Sequence, residues 1–524
     1  MKVERRALYK SAAWAVSAGL LPAAAEAQTK PQTAAPDMAA RIASLLPDLG
    51  RMVKEGMAAF DIPGAAVGIV AEDRLVYAKG FGLARKGGHA PVGTKTLFQI
   101  GSTTKAFLAT TLALAVDRKK LRWDDRVVDL DPAFALKSPY VTRAFRVYDL
   151  LAQRSGLPPY ANDQLTSLGF DAPWLMRSLR FVDPVTSFRS TFAYTNITHL
   201  FAGRIVTKAL DAFDWPVLAE TEILAPLGMR DTSFTAEAIE KVRDHAVGHR
   251  FTPNGSVAVP FDPSFPYLLG PAGDINSTIE DCALWLRLQI AGGVFAGRRL
   301  VSEENLRVTR TPKVALSEIT TYAMGWVITD TPNGRVIWHN GGTAGFGAHI
   351  GFLPAKKVGL IVLSNEENVG FPDAVAFSAY DRLLANPGTA NPKTDYMKTA
   401  LGRARSELEE NATPYRKPAS PRPPPDLAGL AGAYASDTLG PAMIAAANGG
   451  LVLTLRETGA RLRLEPFDGA LFTTRLVPEG RFAPMAAMRG DDPLGFADFQ
   501  ADADGKLTEL RWMTEGQTFR LRKG

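Results

Sequence analysis

The chain has 524 residues, 46% hydrophobic and 22% charged, with a formal net charge of +6 and one cysteine. That length accommodates a large catalytic domain and something more, and a lone cysteine excludes an internal disulfide framework. The basic residues are scattered, with no stripe or recognition motif, so no nucleic-acid partner is expected.

The chain opens with Glu4-Arg5-Arg6-Ala7-Leu8-Tyr9-Lys10, an apolar run from Ser11 to Leu21, and Ala25-Glu26-Ala27 before Gln28. A charged region, a hydrophobic region and a small-residue cleavage site read as an export signal over residues 1–27, and the paired arginines make it Tat-like. The apolar run is shorter than the about 20 residues of a spanning helix. A periplasmic or secreted protein with no stable membrane span after cleavage is therefore expected, a retained signal anchor being the alternative. Beyond a polar stretch at Pro31 to Pro36, helical periodicity runs from Ala39 towards Phe60, with Ile42, Leu45, Leu49 and Val53 on one side. Ala65 to Val70 and Leu75 to Lys79 flank a charged turn at Glu72-Asp73-Arg74, which predicts a β-hairpin.

Next comes Gly101-Ser102-Thr103-Thr104-Lys105-Ala106-Phe107-Leu108, a Ser-x-x-Lys sequence opening an apolar run free of Gly and Pro. A serine hydroxyl is a poor nucleophile until a base takes its proton, and residues three apart share a helical face, so Lys105 can reach Ser102. Burial would favour the neutral amine that this requires. Taken alone, the tetrapeptide is better read as an N-capping serine followed by a surface lysine. Farther on stand Tyr194-Thr195-Asn196, with a helix predicted from Asn196 to Leu210, and Trp338-His339-Asn340-Gly341-Gly342. The pair His245 and His249 lacks a third ligand and Gly248 interrupts it, so no metal is expected. Cys282 lies in a capped apolar helix beginning near Thr278, where burial is its expected role. Gly334 to His339, Ala348 to Leu353 and Val358 to Ser364 read as three strands that join the early hairpin in one antiparallel sheet. His339, Asn340 and Gly341 are then expected on an edge strand facing the serine helix. After Asn386 a Pro-rich linker is expected over 387–426, and eight short strand-like pieces over 427–524 predict a small all-β barrel or sandwich.

Ser-x-x-Lys, Tyr-x-Asn and His-x-Gly in this order resemble the serine beta-lactamase and penicillin-binding-protein superfamily. The branch is that of class C beta-lactamases, DD-peptidases, D-aminopeptidases and family VIII carboxylesterases. The likeness runs from about Ala40 to Leu384 and includes Pro226-Leu227-Gly228-Met229 and Pro271-Ala272-Gly273. It implies an α+β fold over residues 38–386, an antiparallel sheet flanked by helices plus a mainly helical lobe; the C-terminal part resembles a lipocalin-like appendage. It further implies Ser102 as acyl nucleophile, Lys105 and Tyr194 sharing proton transfer, and Asn196 bonded to Lys105 and the substrate amide. Gly341 and Gly342 would lie against the substrate, with the amides of Ser102 and Gly342 as an oxyanion hole. No cofactor is implied. His339 and Asn340 replace the Lys and Thr of most beta-lactamases, so a titrating imidazole is expected where a fixed cation usually stands. Tyr160 falls where class C enzymes carry an amide-reading glutamine, although an ordinary loop aromatic fits it as well, and Asp274 has no assigned contact. The expectation is an exported serine hydrolase cleaving short linear or D-residue-containing peptides. A carboxylesterase is the alternative, then a beta-lactamase or a penicillin-binding receptor that does not turn over; the oligomeric state is left open.

Overall fold

The computed structural model describes residues 38–385, 395–447, 449–514 and 516–524. The expected export signal and the first residues of the expected linker lie outside them. No helix among the described residues is long and apolar enough to cross a membrane.

Helix α1 (Met38–Phe60) leads into β1 (Gly64–Ala71) and β2 (Arg74–Gly82), the predicted hairpin. The serine-bearing segment is a 3-10 turn, Gly101–Thr103, continuing into α2 (Thr104–Asp117); α3 (Ile197–Ala209) and α4 (Ile279–Ile290) follow in the helical middle of the chain. Strands β3 (Val314–Ala315), β4 (Thr320–Tyr322), β5 (Val327–Thr331), β6 (Gly334–Gly342), β7 (Gly347–Leu353) and β8 (Val358–Ser364) then return to the sheet, before α5 (Phe371–Leu384). The eight strands are ordered β2-β1-β8-β7-β6-β5-β4-β3 and their pairings are antiparallel. β1 and β8 join the two ends of this region, with Ala66 opposite Leu363.

Strands β7 and β8 are buried along their whole length because both sheet faces are covered. Val67, Trp338, Leu360 and Val362 pack towards α1 and α5, while Ala66, Ile350, Ile361 and Leu363 pack towards α2 and α4. That two-sided burial is why these strands read as continuous apolar runs. Across the second layer Phe107 of α2 stacks on Trp285 of α4, ring centroids 3.8 Å apart. Cys282 of α4 is buried, and its thiol is pushed up to about 12.

Two expectations need correction. β6 is an interior strand, not an edge strand, since β5 lies on its other side. Pairing with β5 ends at Trp338, opposite Val327, so His339 to Gly342 continue with β7 alone. Second, the span expected to be linker contains a 17-residue helix, α6 (Tyr396–Ala412). It carries no proline, is capped by Asp395 accepting from the Lys398 N–H (2.9 Å), and buries Tyr396, Ala400 and Ala404 at helical spacing against the sheet layer. The Pro-rich stretch 417–425 has no regular structure.

The eight predicted C-terminal strands are all present and form a closed barrel: β9 (Gly432–Ser436), β10 (Gly440–Ala447), β11 (Gly450–Leu455), β12 (Arg461–Asp468), β13 (Leu471–Leu476), β14 (Gly495–Ala501), β15 (Leu507–Thr514) and β16 (Gln517–Lys523). Arg461 and Arg463 point out while Leu462 and Leu464 fill the interior, the alternation a closed sheet demands. β16 closes onto β9, which removes the sheet edge. The barrel packs on the helical region, where Trp174 Nε1 donates to the Thr438 carbonyl (2.8 Å).

Candidate active site

Helix α2 is buried almost all round, with Ser102 partly accessible at its entrance. Gly101 sits at φ 50°, a conformation that favours glycine, and the turn it makes sets Ser102 against the end of β6. A Cβ on Gly101 would lie 2.8 Å from the Gly342 nitrogen, and one on Gly341 would lie 1.9 Å from the Ile100 carbonyl oxygen. These two backbones can approach so closely only as glycines.

One helical turn inside, the Lys105 Nζ lies 2.9 Å from Ser102 Oγ and donates to the Ala272 carbonyl (2.6 Å). Lys105 is fully enclosed, and burial drives its ammonium well below the ordinary lysine range, against the opposing pull of Asp163. Nζ also stands 4.7 Å from the centroid of the Tyr194 ring. Burial and the neighbouring Tyr322 raise the Tyr194 phenol well above the usual tyrosine value; its hydrogen bond with Ser102 opposes the rise.

His339 lies behind this pair. Its Nδ1 is 2.5 Å from the Asn340 carbonyl, which can only accept, so Nδ1 carries the proton and Nε2 accepts from the Tyr322 hydroxyl (3.0 Å). Burial, helped by the Lys105 charge, pushes the imidazole down to about 3. The titrating imidazole expected from the sequence is instead a neutral one at ordinary pH.

A family profile described as Beta-lactamase matches residues 49–384, more than half of the chain. The chain belongs to the beta-lactamase family. Members of this family are serine hydrolases. Unguisins hydrolase ungD of Aspergillus violaceofuscus is 26% identical over 510 residues, 86% of each chain. Penicillin-binding protein 4 of Amycolatopsis lactamdurans is 26% identical over 392 residues, covering 71% of this chain and 93% of its own. Among solved structures, the octameric penicillin-binding protein homologue from Pyrococcus abyssi aligns with a TM-score of 0.58 at 22% identity, covering 91% of this chain and all of its own. A class C beta-lactamase from Rhodobacter sphaeroides aligns at 0.53 and 22%, covering 63% and 97%. At those identities the two structures speak to the fold alone.

In this beta-lactamase family chain the remaining predicted site residues divide. Asn196, at the start of α3, donates its side-chain amide to Asp163 (2.5 Å), whereas the resemblance assigned it to Lys105. Tyr160 is brought in: its N–H donates to the Tyr194 carbonyl (2.6 Å) and the two rings lie 5.4 Å apart. Asn340 turns to the opposite side of β6 from His339, where its amide donates to Asp373 (3.0 Å), which also bonds His349 (2.8 Å). Asp274 accepts from Trp215 Nε1 (3.2 Å) and burial raises its carboxyl to about 8. Sequence reasoning missed Asp163, Tyr322 and Gln153. Gln153 accepts from the Thr195 N–H (2.6 Å) and so fixes the Tyr-x-Asn turn from 42 residues away. No spacing rule in a single sequence links these positions to Ser102. The three predicted groups Ser102, Lys105 and Tyr194 are brought together.

Proposed function

We propose that this chain is an exported serine hydrolase that forms an acyl-enzyme on Ser102 and cleaves short linear or D-residue-containing peptides. The observation that carries the reading is the enclosed Lys105 amine 2.9 Å from Ser102 Oγ. With burial favouring its neutral form, Lys105 takes the serine proton as Oγ bonds to the substrate carbonyl carbon. The oxyanion forms against the backbone N–H groups of Ser102 and Gly342, whose close approach the two glycines permit. Tyr194, kept protonated by burial, gives its proton to the departing amine as the carbon–nitrogen bond breaks and recovers one from Lys105. A water then adds to the acyl carbon, gives its proton to the same pair, and releases the acid and Ser102.

The peptide preference rests on β6. His339 to Gly342 extend past β5 with one side unpaired by any strand among the described residues, where an extended peptide backbone can align. A neutral His339 offers no cation to a penicillin carboxylate, which weighs against beta-lactamase action. The relative named as a hydrolase of unguisins is in keeping with hydrolysis in general. The signal-like sequence over 1–27 supports a periplasmic or secreted site of action.

The test is mass-spectrometric cleavage of a mixed library of linear L- and D-containing peptides, with the Ser102→Ala protein beside it. Cleavage that disappears with Ser102 is the expected result. An untouched library together with Ser102-dependent hydrolysis of short acyl esters would replace the peptidase by a carboxylesterase.

A further inference from the structure

Hairpin β15–β16 of the barrel reaches back to the segment that follows Tyr160. Gln517 Oε1 accepts from the Asn162 N–H (3.1 Å) and from Gln164 Nε2 (3.1 Å), and Thr514 Oγ1 accepts from the same Gln164 amide (3.0 Å). Asn162 is in the left-handed region at φ 62° and donates its side chain to Ser178 Oγ (2.7 Å). Asp163 lies between these two anchored residues. Its Oδ2 accepts from Asn196 at 2.5 Å, and its Oδ1 is enclosed with no hydrogen-bond partner among the described residues.

No step of the acyl transfer uses Asp163, yet it is the carboxyl whose field opposes the burial of Lys105. The other titratable groups around the pair are Tyr160, Tyr194, Tyr322, His199 and His339. Burial holds the three phenols protonated and the two imidazoles unprotonated. Glu407 of α6 adds its field at Tyr160, and the hairpin contributes the neutral Thr514 and Gln517. Lys105 and Asp163 are thus the pair at the site that can carry charge. We propose that Asp163 is a positioning residue that holds Asn196 and offsets the Lys105 charge, and that Gln517 of the barrel fixes it there. The inference rests on the acyl-enzyme reading of Ser102.

A carboxylate near a buried ammonium stabilises the charged lysine, and the charged lysine cannot accept the serine proton. Asp163 therefore sets the pH above which Ser102 becomes nucleophilic, and the barrel contact ties that setting to an element outside the sheet-and-helix region.

The experiment measures the rate of Ser102 labelling by a fluorophosphonate from pH 5 to 10 in the full chain. Asp163→Asn keeps the shape and an acceptor for Asn196 but removes the charge; the acid limb should move down by about one to three pH units. Asp163→Ala also releases Asn196, and its plateau rate should fall at least about tenfold below that of Asp163→Asn. Gln517→Ala retains the carboxylate but loosens its support, so its limb should shift in the same direction by a smaller amount. A purely structural role would lower thermal stability in each variant with the limb unmoved. An Asp163→Asn limb coincident with the wild type overturns the proposal. Should that variant not fold, a Gln517→Ala profile coincident in rate and limb overturns it as well. Ser102→Ala runs as the control: labelling that survives it would sink the acyl-enzyme reading itself, a result separable from any shift of the limb.

Discussion

Replacing Gly341 by alanine probes the seam on which the site is built. The new Cβ would stand 1.9 Å from the Ile100 carbonyl oxygen and 3.2 Å from the Ala348 Cβ. A carbon–oxygen contact needs about 3.3 Å, so β6 and the Gly101–Thr103 turn must separate by about 1.4 Å. Gly341 is outside the left-handed region, so alanine adds no dihedral strain and the close approach alone is tested. The displaced turn carries Ser102, and the displaced strand carries Gly342. A misplacement of about 1 Å at reacting groups costs about 100-fold in rate, and overpacking of this kind costs about 1–3 kcal/mol of stability. The second-order rate of fluorophosphonate labelling at Ser102 is the assay, with Tm measured in parallel. A loss of about 100-fold or more, in protein that still unfolds cooperatively, is expected. Labelling within about threefold of the wild type at an unchanged Tm would refute the reasoning, because the strand and the turn could not then be in contact.

Phe107→Ala removes a ring stacked 3.8 Å from Trp285 in the fully buried seam between α2 and α4; a loss of about 3–5 kcal/mol in urea unfolding is expected. Glu366 is buried with neither carboxyl oxygen hydrogen-bonded among the described residues, the adjacent Ser256 hydroxyl donating to the Asp61 carbonyl (2.8 Å) instead, and its pKa is raised to about 9. The unfolded chain releases this proton near the ordinary glutamate value while the native state keeps it, so its contribution falls as pH rises from there to about 9. Glu366→Gln should raise stability by about 1–3 kcal/mol at pH 8 and flatten the decline in Tm with pH; parallel Tm curves for the two proteins would show that the native carboxyl is already ionised. His339, held near 3, carries no charge change at ordinary pH, so His339→Gln should leave the shape of the pH–rate profile between pH 5 and 8 unchanged, and a limb that vanishes with the imidazole would show that it titrates there.

What could be read from the sequence follows from which forces leave a local trace. Val358 to Ser364 announces itself because a strand covered on both faces must be apolar throughout, and Arg461-Leu462-Arg463-Leu464 because a closed barrel must alternate. Ser102 and Lys105 are one helical turn apart, a local distance. Strands β3 and β4 escaped notice because Val314-Ala315 and Thr320 to Tyr322 are too short to show a period. Helix α6 was hidden by its polar composition, since only the narrow stripe of Tyr396, Ala400 and Ala404 is buried. Asn340 was grouped with its motif neighbours, yet strand alternation sends its side chain to Asp373 while His339 faces Tyr322. Asp163 left no sign at all, because its place beside Asn196 is set by Gln517, 354 positions away in the chain, and by the fold between them.

Burial acts on the groups around Ser102 in one sense only, against charge, and the consequence differs for a base and an acid. For Lys105 it exposes a lone pair that can accept the serine proton; for Tyr194 it retains a proton that can be given to a leaving group. The reverse assignment, a phenolate accepting from serine, requires a charged lysine to stabilise it, and the two forms differ only in where one proton resides. Lys105 lies over the Tyr194 ring at 4.7 Å from its centroid, close enough to help a phenolate if it were charged. The enclosing side chains favour the neutral pair instead, and Tyr322 and Tyr160 beside Tyr194 push further in that direction. Among the described residues Asp163 is the neighbour that pulls the lysine back towards its charged form, so the balance between the two assignments turns on whether that carboxyl is ionised. Its own pKa, raised to about 7 by burial, places the turning point within the working range of an enzyme. Above that value the carboxylate is ionised and holds Lys105 towards its charged form, so Asp163 and Lys105 titrate as a coupled pair and the acid limb of Ser102 labelling belongs to both.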